Sequence, residues 1–203
     1  MTGCAVQVSL FWMSLFAALF ILVLALFVYS GFKQIQHLEA FSGYDSQFLP
    51  SAPSVTVIVS ALNEAQTIQP ALLSMLALEY PNLSIIAIND RSTDDTGAVL
   101  DALSQEQIGN RLKVIHIDTL PAGWLGKSHA LQQGAAQATG DYLLFTDADV
   151  VFDRLAISRA VRYCETKQVD HLSLFFDIVA RSALLQMLII SFSVGLKIGR
   201  AHV

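Results

Sequence analysis

Charged residues are scarce in this sequence, and those that occur are more often acidic than basic. Asp, Glu, Lys and Arg make up 14% of the 203 residues, and the formal net charge is −5. Nucleic-acid binding through a basic patch needs clustered Lys and Arg, so we expect no nucleic-acid partner. Hydrophobic residues account for 54% of the chain, more than in an ordinary soluble domain. We therefore expect part of the chain to contact lipid.

Cysteine pairs, histidine clusters and glycine-rich nucleotide fingerprints are also lacking. The two cysteines, Cys4 and Cys164, have no metal-ligand spacing, and the histidines show no clustered arrangement. A zinc site is therefore not expected, and so few cysteines suit a reducing compartment. No G-x-G-x-x-G follows the first predicted strand, and Pro121 stands where a Walker A loop needs its first glycine.

The longest apolar run, Val8–Tyr29, contains no charged residue. A helix over this run can cross a hydrocarbon core of about 30 Å. A cleaved signal peptide is the alternative, but the run exceeds the usual signal sequence and no Lys or Arg precedes it. Because Lys33 and His37 follow it, we expect the rest of the chain in the cytoplasm. We predict a single-pass anchor over residues 1–32 in an inner or plasma membrane, then a linker over 33–54.

From Val55 onward, strand and helix patterns alternate, which is typical of a parallel sheet with helical crossovers. The chain is predicted to be an α/β protein with one domain over residues 55–180, and its fourth strand is predicted to be central and buried. The predicted strands are Val55–Ser60, Leu83–Asn89, Leu112–Ile117, Tyr142–Thr146 and His171–Phe176. The predicted helices are Thr67–Leu78, Thr96–Leu103, Ser128–Ala138 and Asp153–Glu165.

Two carboxylates, Asp147 and Asp149, follow the fourth predicted strand. In an extended backbone alternate side chains share a face, so both would point the same way while Ala148 points aside. Paired carboxylates suit Mg²⁺ or Mn²⁺, which take further ligands from water and substrate phosphates. Such a cation implies a diphosphate ligand beyond the carboxyl ends of the strands, where open α/β sheets bind ligands. The alternative is a solvated strand end whose acids cap the next helix.

Polar residues also follow the first two strands. The first strand leads into Ala61–Glu64, and the second leads into a polar segment that begins at Asp90. Side chains of this type also cap helices, and we assign that role to Thr93, Asp94 and Asp95. Asp90 comes directly off its strand and is the better candidate for a ligand contact.

A glycine-containing loop with a single lysine, Lys127, precedes the third predicted crossover helix. Glycines let the backbone approach a ligand closely, and a helix N-terminus together with a lysine favours an anion. The loop therefore predicts a diphosphate contact. An ordinary turn with a solvent-exposed lysine is the alternative.

Four segments in this order resemble the family 2 glycosyltransferases, which are inverting enzymes of the GT-A fold that use nucleotide-diphosphate sugars. The segments are SALNE and NDRSTDDT after the first two strands, then GWLGKSHAL and GDYLLFTDADV, and together they lie between Val55 and about Val151. The membrane-anchored members that act on lipids, such as the ceramide glucosyltransferase-like and hopanoid-associated enzymes, are the most similar. The resemblance implies a Rossmann-like GT-A sheet, a UDP-sugar as the favoured donor, a lipid or polysaccharide acceptor, and Mg²⁺ or Mn²⁺.

The resemblance also implies a role for each site residue. Ala61 and Glu64 would flank the nucleobase and ribose, and Asp90 would contact the base. Lys127 would lie near the diphosphate. Asp147 would contact the ribose or the sugar-diphosphate and the metal, and Asp149 would bind the metal directly.

The sequence departs from this family beyond the fourth strand. The general-base carboxylate, commonly in an E-D pair, and the Q-x-x-R-W motif are not matched, so the catalytic base is unassigned and the acceptor-binding half is expected to be absent. Residues 181–203 include the apolar stretch 183–196, which is predicted to be an interfacial or a core helix. We expect this chain to be incomplete and to transfer sugar poorly. The alternatives are an inactive membrane-anchored fragment that binds nucleotide sugar, a non-catalytic scaffold and, less favoured, a sugar-phosphate nucleotidyltransferase.

Overall fold

The computed structural model describes residues 2–32, 51–106, 111–174 and 182. The chain divides into two compact units, one formed by Met1–His37 with Ser173–Val203 and the other by Leu38–Leu172. Most of the predicted linker and almost all of the predicted segment 181–203 lie outside the described residues.

In the first unit, one helix, α1, runs from Thr2 to Phe32. Every described side chain from Leu10 to Leu26 is exposed. Within the described residues, no helix is both long enough and apolar enough to qualify as a membrane span. The predicted helix is therefore confirmed, and its membrane-spanning role stays a prediction.

The second unit contains a parallel four-stranded sheet with the strand order β3-β2-β1-β4. The strands are β1 (Val55–Ala61), β2 (Leu83–Asp90), β3 (Leu112–Ile117) and β4 (Tyr142–Asp147). The helices are α2 (Ile68–Leu76), α3 (Thr96–Glu106), α4 (Gly126–Ala135) and α5 (Ala156–Lys167). The α/β class, the parallel sheet and the first four predicted strands are confirmed.

Strand β1 is central in this sheet because its side chains are apolar on both faces. Val57 and Val59 point into the larger core cluster, which also contains Leu72 of α2 and Leu100 of α3. Ile58 points to the opposite face and packs in a smaller cluster with side chains from β2, β3 and α4. A continuous apolar run with alternating directions is what a strand covered on both faces requires.

The strand order reverses at β1. The chain proceeds from β1 to β2 to β3 in one direction, and α4 then carries it back to β4 on the other side of β1. Residues of α2, α3 and α5 belong to the larger core cluster, and Ala130 of α4 belongs to the smaller one. In open α/β sheets such a reversal opens a crevice at the carboxyl ends of the strands.

Two predictions about strands are wrong for the described residues. Strand β4 was expected to be central and buried, but it pairs only with β1, and Leu143 and Phe145 are 43% and 49% exposed. Its apolar composition reads as buried in sequence, whereas burial depends on what covers that face. In the predicted fifth strand, residues 171–174 form no strand, and residues 175 and 176 lie outside the described part.

We predict that Gly134→Val destabilises the domain by about 1–3 kcal/mol, because the new side chain would overpack the interface between α4 and the sheet. A Cβ at this position would lie 2.6 Å from Ile58 Cγ2 and 2.8 Å from Ile88 Cδ1. The measurement is urea denaturation of both proteins. Gln132→Val, on the exposed side of the same helix, is the matched control and should change stability by less than about 0.5 kcal/mol. Equal effects of the two substitutions would contradict the packing argument.

Candidate functional site

The predicted site residues lie along one edge of the sheet because the strands are parallel and in register. Asp147 at the end of β4 pairs with Ser60 of β1, and Ala61 pairs with Asn89 of β2. Asp90 in turn pairs with Ile117 at the end of β3. The strand ends therefore form one continuous row, and the position where the strand order reverses lies between Ser60 and Asp147.

Hydrogen bonds join the loop after β1 to the loop after β2. Asn63 has a left-handed backbone with φ 58°, and its side-chain oxygen accepts a bond of 2.8 Å from the backbone N–H of Thr93. The backbone N–H of Glu64 donates to Thr96 Oγ1 at 2.9 Å, and that of Ala65 donates to Asp94 Oδ2 at 3.2 Å. These bonds fix one strand end relative to the next.

Asp94 is the side chain that caps α3. Its Oδ1 accepts a bond of 3.0 Å from the backbone N–H of Thr96 and a short bond from the Thr96 hydroxyl. The hydroxyl bond is the main reason that the pKa of Asp94 is lowered. The predicted capping role is confirmed for Asp94. It is wrong for Thr93, whose hydroxyl bonds to Asn63, and Asp95 makes no side-chain hydrogen bond within the described residues.

Ala61 and Glu64 have structural roles in the structure. Ala61 is 2% exposed and belongs to the larger core cluster. The carbonyl oxygen of Glu64 accepts bonds from the N–H groups of Thr67 and Ile68, and its carboxylate accepts one from the Thr67 hydroxyl. Glu64 therefore organises the start of α2, and the nucleobase and ribose contacts expected of these two residues stay predictions.

Asp90 is buried at the end of β2, where its neighbour Arg91 neutralises it. Arg91 Nε donates to Asp90 Oδ1 at 2.8 Å, and Nη2 donates to Oδ2 at 3.1 Å. The Asp90 side chain is only 4% exposed, whereas that of Arg91 is 30% exposed. Hydrogen bonding to Asp90 raises the pKa of the Arg91 guanidinium. A forked pair of this kind holds the carboxylate in a fixed orientation.

Helix α4 begins directly over this pair. A Cβ at Gly126 would lie 3.0 Å from Asp90 Oδ2 and would collide with the Arg91 guanidinium. Only glycine allows this approach, so the first turn of α4 lies against Asp90 and Arg91. The first N–H groups of a helix lack partners within the helix and favour anions. The predicted anion-binding loop therefore lies next to Asp90.

The next residue, Lys127, forms an ion pair with Asp147 at the end of β4. Both side chains are more than half exposed, at 61% and 51%. An exposed pair contributes little to stability, so an incoming ligand can separate the two charges at small cost. The pair links α4 to the strand on the far side of the strand-order reversal.

Asp147 and Asp149 are exposed, and Ala148 between them is buried. The alternation that we predicted is confirmed, although the backbone at 148 and 149 forms a turn instead of continuing the strand. Asp149 makes no hydrogen bond or ion pair with any described residue. Among the described residues no group of three or more His, Cys, Asp or Glu could enclose a metal. Two carboxylates still fit a cation that takes its other ligands from water and phosphate.

Two residues of this edge were missed at the level of sequence. Asn63 and Arg91 both have positive φ, 58° and 59°, and both follow strand ends. Asn adopts this conformation more easily than most residues, so its position after β1 was a usable signal. Nothing in the local sequence indicates that Arg91 would adopt it and turn back onto the preceding carboxylate.

Comparison with known families and proteins places this geometry in context. The family model described as glycosyl transferase family 2 matches residues 56–184. The chain is 30% identical over 154 residues to a probable glycosyltransferase, YdaM, of Bacillus subtilis, covering 75% of this chain and 34% of that protein. It is 33% identical over 99 residues to a poly-beta-1,6-N-acetyl-D-glucosamine synthase of Staphylococcus epidermidis, covering 49% of this chain and 22% of that protein.

Among solved structures, the chain is similar to the mannosyltransferase PcManGT from Pyrobaculum calidifontis in complex with GDP-Man and Mn²⁺. The TM-score is 0.50 at 30% sequence identity, over 55% of this chain and 32% of that chain. This chain thus spans about a third or less of the length of these three proteins.

We predict that Asp94→Ala lowers stability at neutral pH and that this loss shrinks as the pH falls. The folded pKa of Asp94 lies below its unfolded value, so its contribution is full above about pH 4 and disappears as the pH falls through the folded pKa. The measurement is the urea midpoint at pH 7 and at about pH 3.5. Asp95→Ala is the matched control. A stability loss for Asp94→Ala that is independent of pH would contradict the prediction.

Proposed function

Because the chain belongs to glycosyl transferase family 2, we propose that it binds a nucleotide-diphosphate sugar at the carboxyl edge of its sheet for inverting transfer to a lipid or polysaccharide acceptor. The observation that carries this proposal is the convergence of three predicted site residues from different elements. Asp90 ends β2, Lys127 begins α4 and Asp147 ends β4, and direct contacts connect each of them to α4.

The comparisons support both substrates at the level of their class. The neighbouring mannosyltransferase was solved with a nucleotide-diphosphate sugar, GDP-Man, and with Mn²⁺. A polysaccharide synthase is among the relatives, which favours a saccharide acceptor. Since this chain spans only part of these proteins, donor binding is the part of the reaction that its described residues can support.

The charges at the edge suit the donor. The Lys127 ammonium and the first turn of α4 would bind the diphosphate, while Asp90 would accept a hydrogen bond from the base. Asp147 and Asp149 would hold Mg²⁺ or Mn²⁺, which when bound offsets charge on the departing diphosphate. Diphosphate binding would release Asp147 from Lys127 and leave that carboxylate available. The acceptor hydroxyl must also lose a proton to a general base, which we leave unassigned.

We predict that UDP raises the melting temperature of the purified full-length chain in detergent only when Mn²⁺ or Mg²⁺ is present. A ligand that binds only the folded state stabilises it by RT ln(1 + [L]/Kd), or about 2.7 kcal/mol at 100 times Kd. Asp149→Asn should abolish the metal-dependent part, because it removes one of two carboxylates. The measurement is a thermal unfolding series with and without metal.

Asp153→Asn is the matched control. It removes a nearby negative charge whose carboxylate binds Arg159 and the Leu155 N–H, and it should leave the UDP shift unchanged. A stabilising shift that needs no metal, or that survives Asp149→Asn, would contradict the metal assignment. No shift with either UDP or GDP would favour a non-catalytic scaffold.

We also propose that α1 anchors the protein in an inner or plasma membrane with the sheet domain in the cytoplasm. Its sequence contains no charged residue, and its described side chains from Leu10 to Leu26 are exposed and mostly large and apolar. Lys33 and His37 follow the helix, which favours a cytoplasmic position for the residues after it.

We predict that the expressed full-length chain stays with membranes during alkaline carbonate extraction. Replacing Leu19 and Val23 with Lys should release much of it, because each charge at a helix centre costs about 2.5–3.5 kcal/mol of insertion free energy. Gln7→Lys, near the start of the helix, is the control and should remain membrane-bound. Complete extraction of the unmodified chain would contradict the anchor.

A further inference from the structure

Arg91 holds a backbone conformation that is unfavourable for its residue type. Its φ of 59° lies in the left-handed region, where a residue other than glycine costs on the order of 1 kcal/mol or more. Three contacts maintain it. The Arg91 N–H donates to the Ile117 carbonyl at 3.0 Å, the guanidinium binds both oxygens of Asp90, and the same guanidinium lies against Gly126. Strain held in this way at a strand end indicates a functional constraint.

The contacts limit what Asp90 can bind. Both of its carboxylate oxygens already accept a bond from Arg91, and the side chain is 4% exposed. The accessible edge therefore has room for one further N–H donor. Arg91 has five N–H donors, of which two bind Asp90, and its side chain is 30% exposed. The pair thus presents one carboxylate acceptor next to guanidinium donors.

We propose that Arg91 is a positioning residue that fixes the Asp90 carboxylate and makes the nucleotide site select uracil over guanine; this inference rests on the proposed donor-binding function. The pairing edge of uracil has a single N–H between two carbonyl oxygens, which matches one acceptor beside donors. Guanine carries two adjacent donors, the ring N–H and the exocyclic amine, and needs two acceptors side by side. The Asp90–Arg91 pair offers only one, and a buried donor without a partner is costly.

The test measures the dissociation constants of UDP and GDP for the full-length chain in detergent with saturating Mn²⁺, by calorimetric titration. We expect UDP to bind at least about tenfold more tightly than GDP, because one unpaired base donor costs about 1–3 kcal/mol. In Arg91→Gly the ratio should fall to within about threefold. Arg91→Lys should also lose the preference, because an ammonium keeps the charge but lacks the planar fork.

Gln168→Gly is the matched control for the backbone. Gln168 has φ 52° at the end of α5, away from the strand ends, so this variant relieves the same strain and should leave both constants unchanged. If Arg91→Gly does not fold, Arg91→Lys decides alone, since it retains the native backbone requirement.

The outcomes separate the two proposals. Absence of binding by both nucleotides to the unmodified chain would overturn the proposed function. Binding with a UDP preference that survives in both Arg91 variants, or that Lys restores fully, would overturn the positioning role. Tighter binding of GDP by the unmodified chain would overturn the selection of uracil.

Discussion

The close approach of α4 to the sheet is the constraint on which the candidate site depends. Gly134 lies against Ile58 and Ile88, and Gly126 lies against Asp90 and Arg91, so no side chain separates the helix from the strands at either end. With larger residues the helix would move outward. Lys127 could then no longer reach Asp147, and the first turn of the helix would leave Asp90. Packing density in the core thus sets the distances between charged groups at the edge.

The strand ends combine strain with hydrogen bonds that hold it. Asn63 and Arg91 follow adjacent strands and both have left-handed backbones, and each is held by side-chain contacts with the neighbouring segment. Bonds from Ser92, Thr93, Asp94 and Thr96 join the two loops. Because these bonds fix both loops to the sheet, the edge is organised before a ligand arrives. Such preorganisation lowers the cost of ordering a binding site.

The charges at this edge are neutralised in two different ways. The Asp90–Arg91 pair is largely buried and forked, so breaking it would leave a buried carboxylate unpaired, which is strongly unfavourable. The Lys127–Asp147 pair is exposed, so it is easily exchanged for other partners. One pair is thus suited to fixed recognition and the other to the exchange of partners when a diphosphate and a cation bind.

The sequence by itself determined the α/β class, the four strands and the order of the polar segments, because hydrophobic alternation and chain order are local properties. It also predicted correctly that Asp147 and Asp149 would be exposed on either side of a buried Ala148. Tertiary structure decided the rest. Strand β4 is an edge strand with exposed Leu143 and Phe145, which depends on which neighbours are present. Arg91 turns back onto Asp90 beneath Gly126, a contact between segments far apart in sequence. No local pattern encodes such a contact, because the register of the strands and the depth of helix packing bring its partners together.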